Sequence, residues 1–205
     1  MQIHEKYIVL AKEVYKMVEK NVEVPKVLKT DCFNEGANYA PIANLFEDAY
    51  CVDVDNELVN KAKKAFPDLK CFVGDIRELP FDDEIFDVII DCSTIDHVPD
   101  FEKVIIEYNR VLRKDGICLI CTWVSLEKLT EDTKKWNKEN QYFHYLYDFV
   151  NYLQFHFKIL KEGEIYTDRK CDVKTDNFGK NMYYFILKKG GYKKNGVGVF
   201  RNKKI

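Results

Sequence analysis

Short apolar stretches alternate with amphipathic stretches between residues 22 and 123. This order predicts a mostly parallel α/β sheet, because each helix carries the chain back to begin the next parallel strand. The strand-like segments, in chain order, are VEVPKVLKT, AYCVDV, LKCFVG, FDVIID and ICLICTWV. The last two are almost uninterrupted apolar runs, which is typical of strands that helices cover on both faces. We therefore expect the fourth and fifth strands to lie in the centre of the sheet.

Three helices are predicted between these strands. The first runs from about Tyr39 to Glu47, with Pro41 in its first turn, where proline is tolerated. The second is NELVNKAKKAF, for which Asn56 is the expected N-cap, and the third is FEKVIIEYNRVL. The predicted apolar face of the second helix consists of Leu58, Ala62 and Ala65.

The second half of the chain has a different pattern. A polar, aromatic-rich helical region from about Glu131 to Phe155 leads into FKILKEGEIYT and then NMYYFILKK. Two strands without a helix between them indicate an antiparallel pair at one edge of the sheet. We expect a single domain over 1–189, made of an N-terminal helix (1–21), a cofactor-binding half (22–123) and an acceptor-side half (124–189), followed by a tail (190–205).

Composition indicates a soluble protein of one domain. Of the 205 residues, 46% are hydrophobic and 32% charged, and no apolar run is long enough to span a membrane. The seven cysteines are an odd number and lie mostly within strand-like runs, so we expect buried thiols in a reduced, cytoplasmic protein. Cys118 and Cys121 form a CxxC pattern, but in a strand they point to opposite faces, and we expect no metal there.

The charge is unevenly distributed along the chain. The formal net charge is −2, yet residues 188–205 carry seven Lys or Arg and no acid. Such a tail is a weak indication of contact with a nucleic acid or an anionic surface. A solvated extension is the favoured interpretation.

Carboxylates follow three of the first four strands at the point where each strand ends. In an open parallel sheet the ligand binds beyond the carboxyl ends of the strands, near the point where strand order reverses. Asp31 follows the first strand, Asp53 ends the second, and Asp75 follows the third. A carboxylate at such a position can accept hydrogen bonds from ribose hydroxyls or from an adenine amino group.

Residues 22–123 resemble class I S-adenosylmethionine-dependent methyltransferases, particularly the small-molecule, type 11-like members. CVDVDNELVNKAK is similar to the family's segment that bears the ribose-binding acid, which here is Asp53. GDIRELPFDDEIFDVII is similar to its adenine-side loop and fourth strand, with Asp75 and Ile76 at the adenine positions. STIDHVPDFEKVIIEYNRVLRKDGICLI resembles the following helix, turn and fifth strand. The resemblance implies a Rossmann-like, mostly parallel seven-stranded sheet with helices on both faces and an antiparallel strand pair at one edge.

The resemblance also implies S-adenosylmethionine as cofactor and a set of binding residues at the strand ends. These are Asp31, Phe33, Gly36, Asp53, Val54, Asp75, Ile76, Cys92 and Ser93. The family's first strand normally ends in an acid followed by alternating glycines. In VLKTDCFNEG, Lys29 replaces that acid, Asp31 and Phe33 replace the first two glycines, and only Gly36 remains, one place late.

Two interpretations of this altered loop are open. In the first, Asp31 pairs with the ammonium of the ligand, Gly36 provides the turn, and Phe33 points away or stacks on the sulfonium. In the second, the ring of Phe33 closes the pocket and the domain acts through protein contacts without a cofactor. The missing glycines argue more strongly against a pyrophosphate cofactor than against one without phosphate.

Catalytic residues are harder to identify, because methyl transfer depends mainly on the positioning of two reactants. His97 is a candidate general base, although a polar residue in a loop is the commoner explanation. An aromatic set marks a possible acceptor pocket; it consists of Trp136, Tyr142, Phe143, His144, Tyr145 and Tyr147. Tyr142, Tyr145 and Phe149 have the spacing of a buried helix face, which favours core packing. The expected function is methyl transfer to a small or medium-sized acceptor; the alternative is a non-catalytic, methyltransferase-like module with a protein partner.

Overall fold

The computed structural model describes residues 3–32, 42–126, 128, 142, 144–165 and 182–190. The strands in these residues are β1 (Lys26–Lys29), β2 (Asp48–Asp53), β3 (Lys70–Val73), β4 (Phe86–Cys92), β5 (Leu112–Ser125), β6 (His144–Tyr145), β7 (Phe157–Ile165) and β8 (Met182–Lys189). The α-helices are α1 (Ile3–Val18), α2 (Asn56–Ala65), α3 (Phe101–Val111) and α4 (Leu146–His156). Two short 3-10 helices, Ile42–Leu45 and Ile95–His97, lie in the connections.

Seven of the strands pair in the order β3-β2-β1-β4-β5-β8-β7, and the two-residue β6 pairs with the end of β5. The pairs from β3 through β5 are all parallel. β8 runs antiparallel to both β5 and β7. The predicted mostly parallel, seven-stranded sheet with an antiparallel pair at one edge is therefore confirmed, and β4 lies at its centre.

Helices cover both faces of the sheet, and alternate residues of each central strand face opposite cores. Val88 and Ile90 of β4 lie in the core beneath α1 and α2, whereas Ile89 lies in the core beneath α3 and α4. All seven residues of β4 are buried, as its continuous apolar sequence predicts. Cys118 and Cys121 of β5 also lie in opposite cores, so the sequence prediction for the CxxC pair is correct.

Two predicted helices differ in the structure. Within the segment expected to be helical from Tyr39 to Glu47, the described part contains only the 3-10 helix Ile42–Leu45; residues 39–41 lie outside the described residues. The chain then enters β2 at Asp48, which pairs with Lys26 of β1. The helical pattern predicted from residue 131 is seen as α4, while residues 131–141 lie outside the described residues.

The prediction for the start and face of α2 was wrong in detail. The N-cap is Asp55, not Asn56: the Asp55 carboxylate accepts hydrogen bonds from the backbone N–H groups of Glu57 (2.7 Å) and Leu58 (3.3 Å). The buried residues of α2 are Val59 and Ala62. The short, ionised side chain at position 55 reaches the exposed N–H groups at the helix start, which leaves Asn56 as the first helical residue.

Among the described residues, no helix combines the length and the apolar character needed to cross a membrane.

Candidate active site at the carboxyl end of the sheet

The strand order reverses at β1, which lies between β2 and β4. From β1 the chain builds the sheet outward through β2 and β3, and then returns to the other side of β1 with β4. The loops after β1 and β4 therefore diverge and leave a crevice at their carboxyl ends, where open α/β sheets bind ligands. The predicted site residues that the structure describes lie around this crevice.

Asp53 is the last residue of β2, and its half-buried carboxylate is oriented by the backbone. One oxygen accepts a hydrogen bond from the N–H of Cys32 (3.0 Å), and the other accepts one from the N–H of Asp55 (2.9 Å). Each carboxylate oxygen has a second acceptor position. The side chain is thus fixed beside the end of β1 with acceptor capacity to spare, as a ribose-binding acid requires.

Lys29 and Asp31 form an ion pair at the end of β1. The Lys29 side chain is only 1% exposed and the Asp31 side chain 17%. Asp31 also accepts a hydrogen bond from the hydroxyl of Thr94 (2.9 Å), which follows β4. The carboxylate predicted to bind a ligand's ammonium therefore already contacts an ammonium of the protein.

Asp91 lies beside this pair at the end of β4 and is completely buried. It accepts hydrogen bonds from the Tyr108 hydroxyl (2.6 Å) and from the N–H of Thr94 (2.8 Å). Burial raises the pKa of Asp91 to about 6, while these hydrogen bonds and the charge of Lys29 oppose the rise. Asp91 connects α3 to the loop after β4 and so holds that side of the crevice.

The adenine-side candidates lie after β3. The Asp75 carboxylate accepts two hydrogen bonds from the guanidinium of Arg77 (2.6 Å and 3.1 Å to Oδ2), which lower the pKa of Asp75. The side chain of Ile76 is buried in the core under α3 and α4. Val54, in contrast, is 70% exposed next to Asp53. The exposed apolar surface of Val54 is available to a flat, apolar ring, whereas Ile76 supports the loop from within.

Cys92 and Ser93 lie at the end of β4, on the α1 side of the sheet. Cys92 is buried in the core under α1. Ser93 has a φ of 68°, a conformation that side chains rarely adopt, and its hydroxyl lies 3.2 Å from the hydroxyl of Tyr7. The Tyr7 hydroxyl also donates to the sulfur of Met182 in β8 (2.8 Å). These contacts connect α1 and β8 to the crevice.

His97 and its neighbour Asp96 lie in the 3-10 helix after β4, with opposite burial. His97 is exposed, whereas Asp96 is completely buried. Asp96 Oδ1 accepts hydrogen bonds from the Thr122 hydroxyl and from the N–H of Trp123 (3.0 Å), and Oδ2 has no hydrogen-bond partner among the described residues. Burial raises the pKa of Asp96 to about 7.

The sequence predicts His97 as a candidate general base and does not single out the buried Asp96. The sequence offers one signal for Asp96: in a short helical turn, neighbouring residues such as Asp96 and His97 lie on different faces. That spacing does not show which of the two faces the core, since the burial of Asp96 comes from β5, far away in the sequence.

The remaining predicted residues belong to the loop after β1 and to the aromatic set. Phe33, Gly36, Trp136 and Phe143 lie outside the described residues. Of the aromatic set, His144 is buried and packs against Phe101 (ring centroids 4.8 Å apart) and Phe149 (5.7 Å), so it belongs to the core. Tyr147 is 54% exposed on α4. The predicted helix face of Tyr142, Tyr145 and Phe149 is correct only for Phe149, which is buried on α4. Tyr142 and Tyr145 are half-buried and precede the helix, and Tyr145 lies in β6.

Comparison with known proteins agrees with this geometry. Residues 32–120 match the methyltransferase domain family. A protein of Mycobacterium tuberculosis strain H37Rv, named "Probable S-adenosylmethionine-dependent methyltransferase", is 28% identical over 109 residues, which cover 53% of this chain and 39% of that protein. The ubiquinone/menaquinone biosynthesis C-methyltransferase of Rickettsia prowazekii is 37% identical over 75 residues, which cover 33% of this chain and 30% of that protein. The chain therefore spans well under half the length of these curated relatives.

A solved structure extends the likeness to nearly the whole chain. Geranyl diphosphate C-methyltransferase from Streptomyces coelicolor A3(2), in complex with Mg²⁺, geranyl-S-thiolodiphosphate and S-adenosyl-L-homocysteine, aligns with a TM-score of 0.69. The alignment covers 89% of this chain and 76% of that one, at 10% sequence identity. At this identity the likeness shows the fold alone.

Proposed function

Because residues 32–120 match the methyltransferase domain family, we propose that the protein is a class I S-adenosylmethionine-dependent methyltransferase, which binds S-adenosylmethionine and transfers its methyl group to a small or medium-sized acceptor. The observation that carries this proposal is the orientation of Asp53. Its carboxylate is held by the backbone amides of Cys32 and Asp55 at the strand-order reversal, with acceptor positions left for two ribose hydroxyls.

The crevice also offers apolar surface where the nucleobase would lie. Val54, which directly follows β2, is 70% exposed, and Val73, which ends the neighbouring strand β3, is 49% exposed. Large exposed aliphatic side chains beside a fixed acid suit the face of an adenine ring. Asp75, held by Arg77, would accept from the amino group of the base.

S-adenosylmethionine, when bound, supplies a methyl group on a positively charged sulfur. The protein's part in the transfer is to place the acceptor atom in line with that methyl group and to exclude water. The loop after β4 is suited to this role, since Ser93 and Asp96 are linked to α1 and β5 by hydrogen bonds.

We propose that Asp96 accepts the proton when the acceptor is a hydroxyl or an amine. A pKa of about 7 matches the requirement for a general base at neutral pH, and Oδ2 lacks a hydrogen-bond partner among the described residues. The exposed His97 is the second candidate. Variants Asp96→Asn and His97→Gln distinguish the two once an acceptor is known, because only loss of the true base removes the acidic limb of the pH–rate profile.

The second candidate function is a non-catalytic module with a closed pocket. It is favoured by the Lys29–Asp31 ion pair, which occupies the position of the family's acid, and by Phe33 in the sequence at a glycine position. Such a module would act through a protein partner. The two functions predict opposite effects of opening the loop, as set out in the Discussion.

Binding measurements with an Asp53 variant test the proposed function. Asp53→Asn retains the shape but loses the charge, and we expect S-adenosylmethionine to bind at least about tenfold more weakly, since a hydrogen bond to a charged group contributes about 1.5–3 kcal/mol. Asp48→Asn is the matched control, because Asp48 lies at the opposite end of the same strand and pairs with Lys70 on the surface. Equal affinities for the two variants would contradict the proposal.

Location and further partners complete the proposal. The six cysteines that the structure describes all carry free thiols, which supports a reducing, cytoplasmic location.

The basic residues of 188–205 support a secondary contact with a nucleic acid only weakly. Removal of residues 191–205 tests it: retention on DNA or RNA that falls with salt and disappears on truncation would support the contact.

A further inference from the structure

Three cysteine sulfurs converge in the core beneath α2, away from the crevice. Cys32, Cys51 and Cys71 are all buried, and their sulfur atoms lie within 4.8 Å of one another. The sulfurs of Cys32 and Cys51 are 2.7 Å apart, which is closer than van der Waals contact, although both residues are free cysteines.

Strand pairing explains the convergence. Cys51 of β2 and Cys71 of β3 are direct partners in the parallel register, so their side chains lie side by side on one face of the sheet. Cys32 follows β1, the other neighbour of β2, and its side chain lies in the same core. β2 and β3 thus each contribute one sulfur, and the segment that follows β1 contributes the third.

Such an arrangement has the chemistry of a site for a soft cation. Thiolates select Cu(I), zinc and iron–sulfur clusters over hard cations such as Mg²⁺. We propose that Cys32, Cys51 and Cys71 bind one thiophilic monovalent cation of the Cu(I) class through their three sulfur atoms.

The number of donors favours Cu(I) over Zn²⁺. Among the described residues, no fourth His, Cys, Asp or Glu ligand atom joins the three sulfurs. Structural zinc sites are almost always tetrahedral with four protein ligands, and three-ligand zinc sites keep water in the fourth position. The three cysteines belong to a buried apolar core that also contains Val59, Ala62 and Leu69. Cu(I) accepts three sulfur ligands without a fourth.

Binding exchanges protons for the cation. A cysteine thiol loses its proton when its sulfur becomes a metal ligand. Copper enters and stays as Cu(I), the displaced thiol protons pass to solvent, and nothing is oxidised or reduced. Affinity therefore increases with pH, as for other thiolate sites.

The cation site and the proposed cofactor site are separate. The sulfur of Cys32 points into the core, whereas its backbone N–H donates to Asp53 at the crevice. A protein that binds no Cu(I) can still bind S-adenosylmethionine, and the reverse also holds. The two proposals can therefore fail independently.

Anaerobic competition between the reduced full chain and a chromogenic Cu(I) chelator tests the inference. We expect the protein to remove one equivalent of Cu(I), to develop ultraviolet sulfur-to-copper charge-transfer absorption, and to show three sulfur neighbours around copper by X-ray absorption. Zn²⁺ offered in the same titration should leave the bound Cu(I) in place. Binding should tighten as the pH is raised.

Two ligand variants and one control variant show where the cation binds. Cys51→Ala removes the central sulfur, and we expect affinity to fall by more than about 100-fold, beyond the loss typical of an indirect partner. Cys118→Ala is the matched control, because Cys118 is equally buried but lies in the opposite core, and it should bind as the unchanged protein does. Cys71→Ser serves as a second ligand variant, and circular dichroism verifies that each variant is folded.

Three results would overturn the inference. The first is a reduced protein that takes no Cu(I) from the chelator. The second is a folded Cys51→Ala or Cys71→Ser variant that binds as tightly as Cys118→Ala. The third is preferential binding of Zn²⁺ over Cu(I) at the same sulfurs, which would mean that a fourth ligand completes a tetrahedral site.

Discussion

The ammonium of Lys29 contacts the carboxylate of Asp31 at the carboxyl end of β1. Both side chains are on the same face of the chain, since residues two apart in an extended segment point the same way. The pair stands at the position where the family resemblance leads one to expect an acid and glycines. Under the proposed function, this pair would meet the amino-acid end of a bound S-adenosylmethionine.

Replacing Lys29 with methionine should strengthen cofactor binding. Without the lysine, Asp31 keeps its hydrogen bond to Thr94, and the competing ammonium of the protein is removed. We expect the dissociation constant for S-adenosylmethionine to decrease by about tenfold, the value of a charge-assisted hydrogen bond. Isothermal titration of Lys29→Met measures it.

Lys26→Met is the control for this change, because Lys26 lies at the other end of β1. Its affinity should equal that of the unchanged protein. Weaker binding by Lys29→Met than by Lys26→Met would show that Lys29 supports the ligand and does not compete with it.

This ion pair also shows what the sequence could predict. The sequence predicts that Asp31 pairs with the ammonium of the ligand, but it does not predict the ion pair with Lys29. The missing information was the burial of Lys29, which depends on β2 and β4 on either side of it. A buried lysine needs a counter-charge, and the nearest carboxylate supplies it.

Asp96 should make the stability of the fold depend on pH. Its pKa is about 7 in the folded state, against an ordinary value of 3.8. Between these values the folded state retains a proton that the unfolded state has lost, so stability falls as pH rises towards 7. Asp96→Asn should remove about 1.4 kcal/mol per pH unit of this dependence and gain stability relative to the unchanged protein at pH 8.

Urea unfolding from pH 5 to pH 8 checks this expectation. Asp82→Asn is the control, because Asp82 is exposed and its replacement should leave the pH dependence as it was. We expect the unfolding free energy of Asp96→Asn still to decrease somewhat with pH, because the pKa of Asp91 is also raised, to about 6. An unchanged slope in Asp96→Asn would show that the pKa of Asp96 is not raised in the folded state.

The N-cap of α2 is Asp55 in the structure, whereas the sequence predicts Asn56. Asp55→Ala removes both N-cap hydrogen bonds, and we expect it to lower the free energy of unfolding by about 1 kcal/mol. Asn56→Ala should change it by only a few tenths of a kcal/mol. Chemical denaturation of the two variants side by side gives the answer, and a larger loss for Asn56→Ala would restore Asn56 as the cap.

Phe33→Gly separates an open pocket from a closed one. If Phe33 stacks on the ligand, the variant should bind S-adenosylmethionine more weakly, by about 0.5–2 kcal/mol for a lost cation–π contact. If the ring closes the pocket, its removal should create or strengthen binding. Titration of the variant beside the unchanged protein decides between the enzyme and the non-catalytic module.

The fold was more predictable than the site, for physical reasons visible in particular residues. The continuous apolar run of β4 and the alternation of strands and helices are local properties, and they led to the correct sheet. The roles of Asp91, Asp96 and the three converging cysteines depend on contacts between distant segments. Tyr108 reaches Asp91 from α3, and Trp123 reaches Asp96 from β5. No local pattern contains such contacts.

Calorimetric titration of the folded, full chain with S-adenosylmethionine and with S-adenosylhomocysteine tests the central claim most directly. The account predicts saturable binding of both ligands with one site per chain. The product lacks the sulfonium charge, so the difference between the two affinities measures the contact with that charge. Absence of binding by either ligand at millimolar concentration, from protein shown to be folded, would contradict the proposed function.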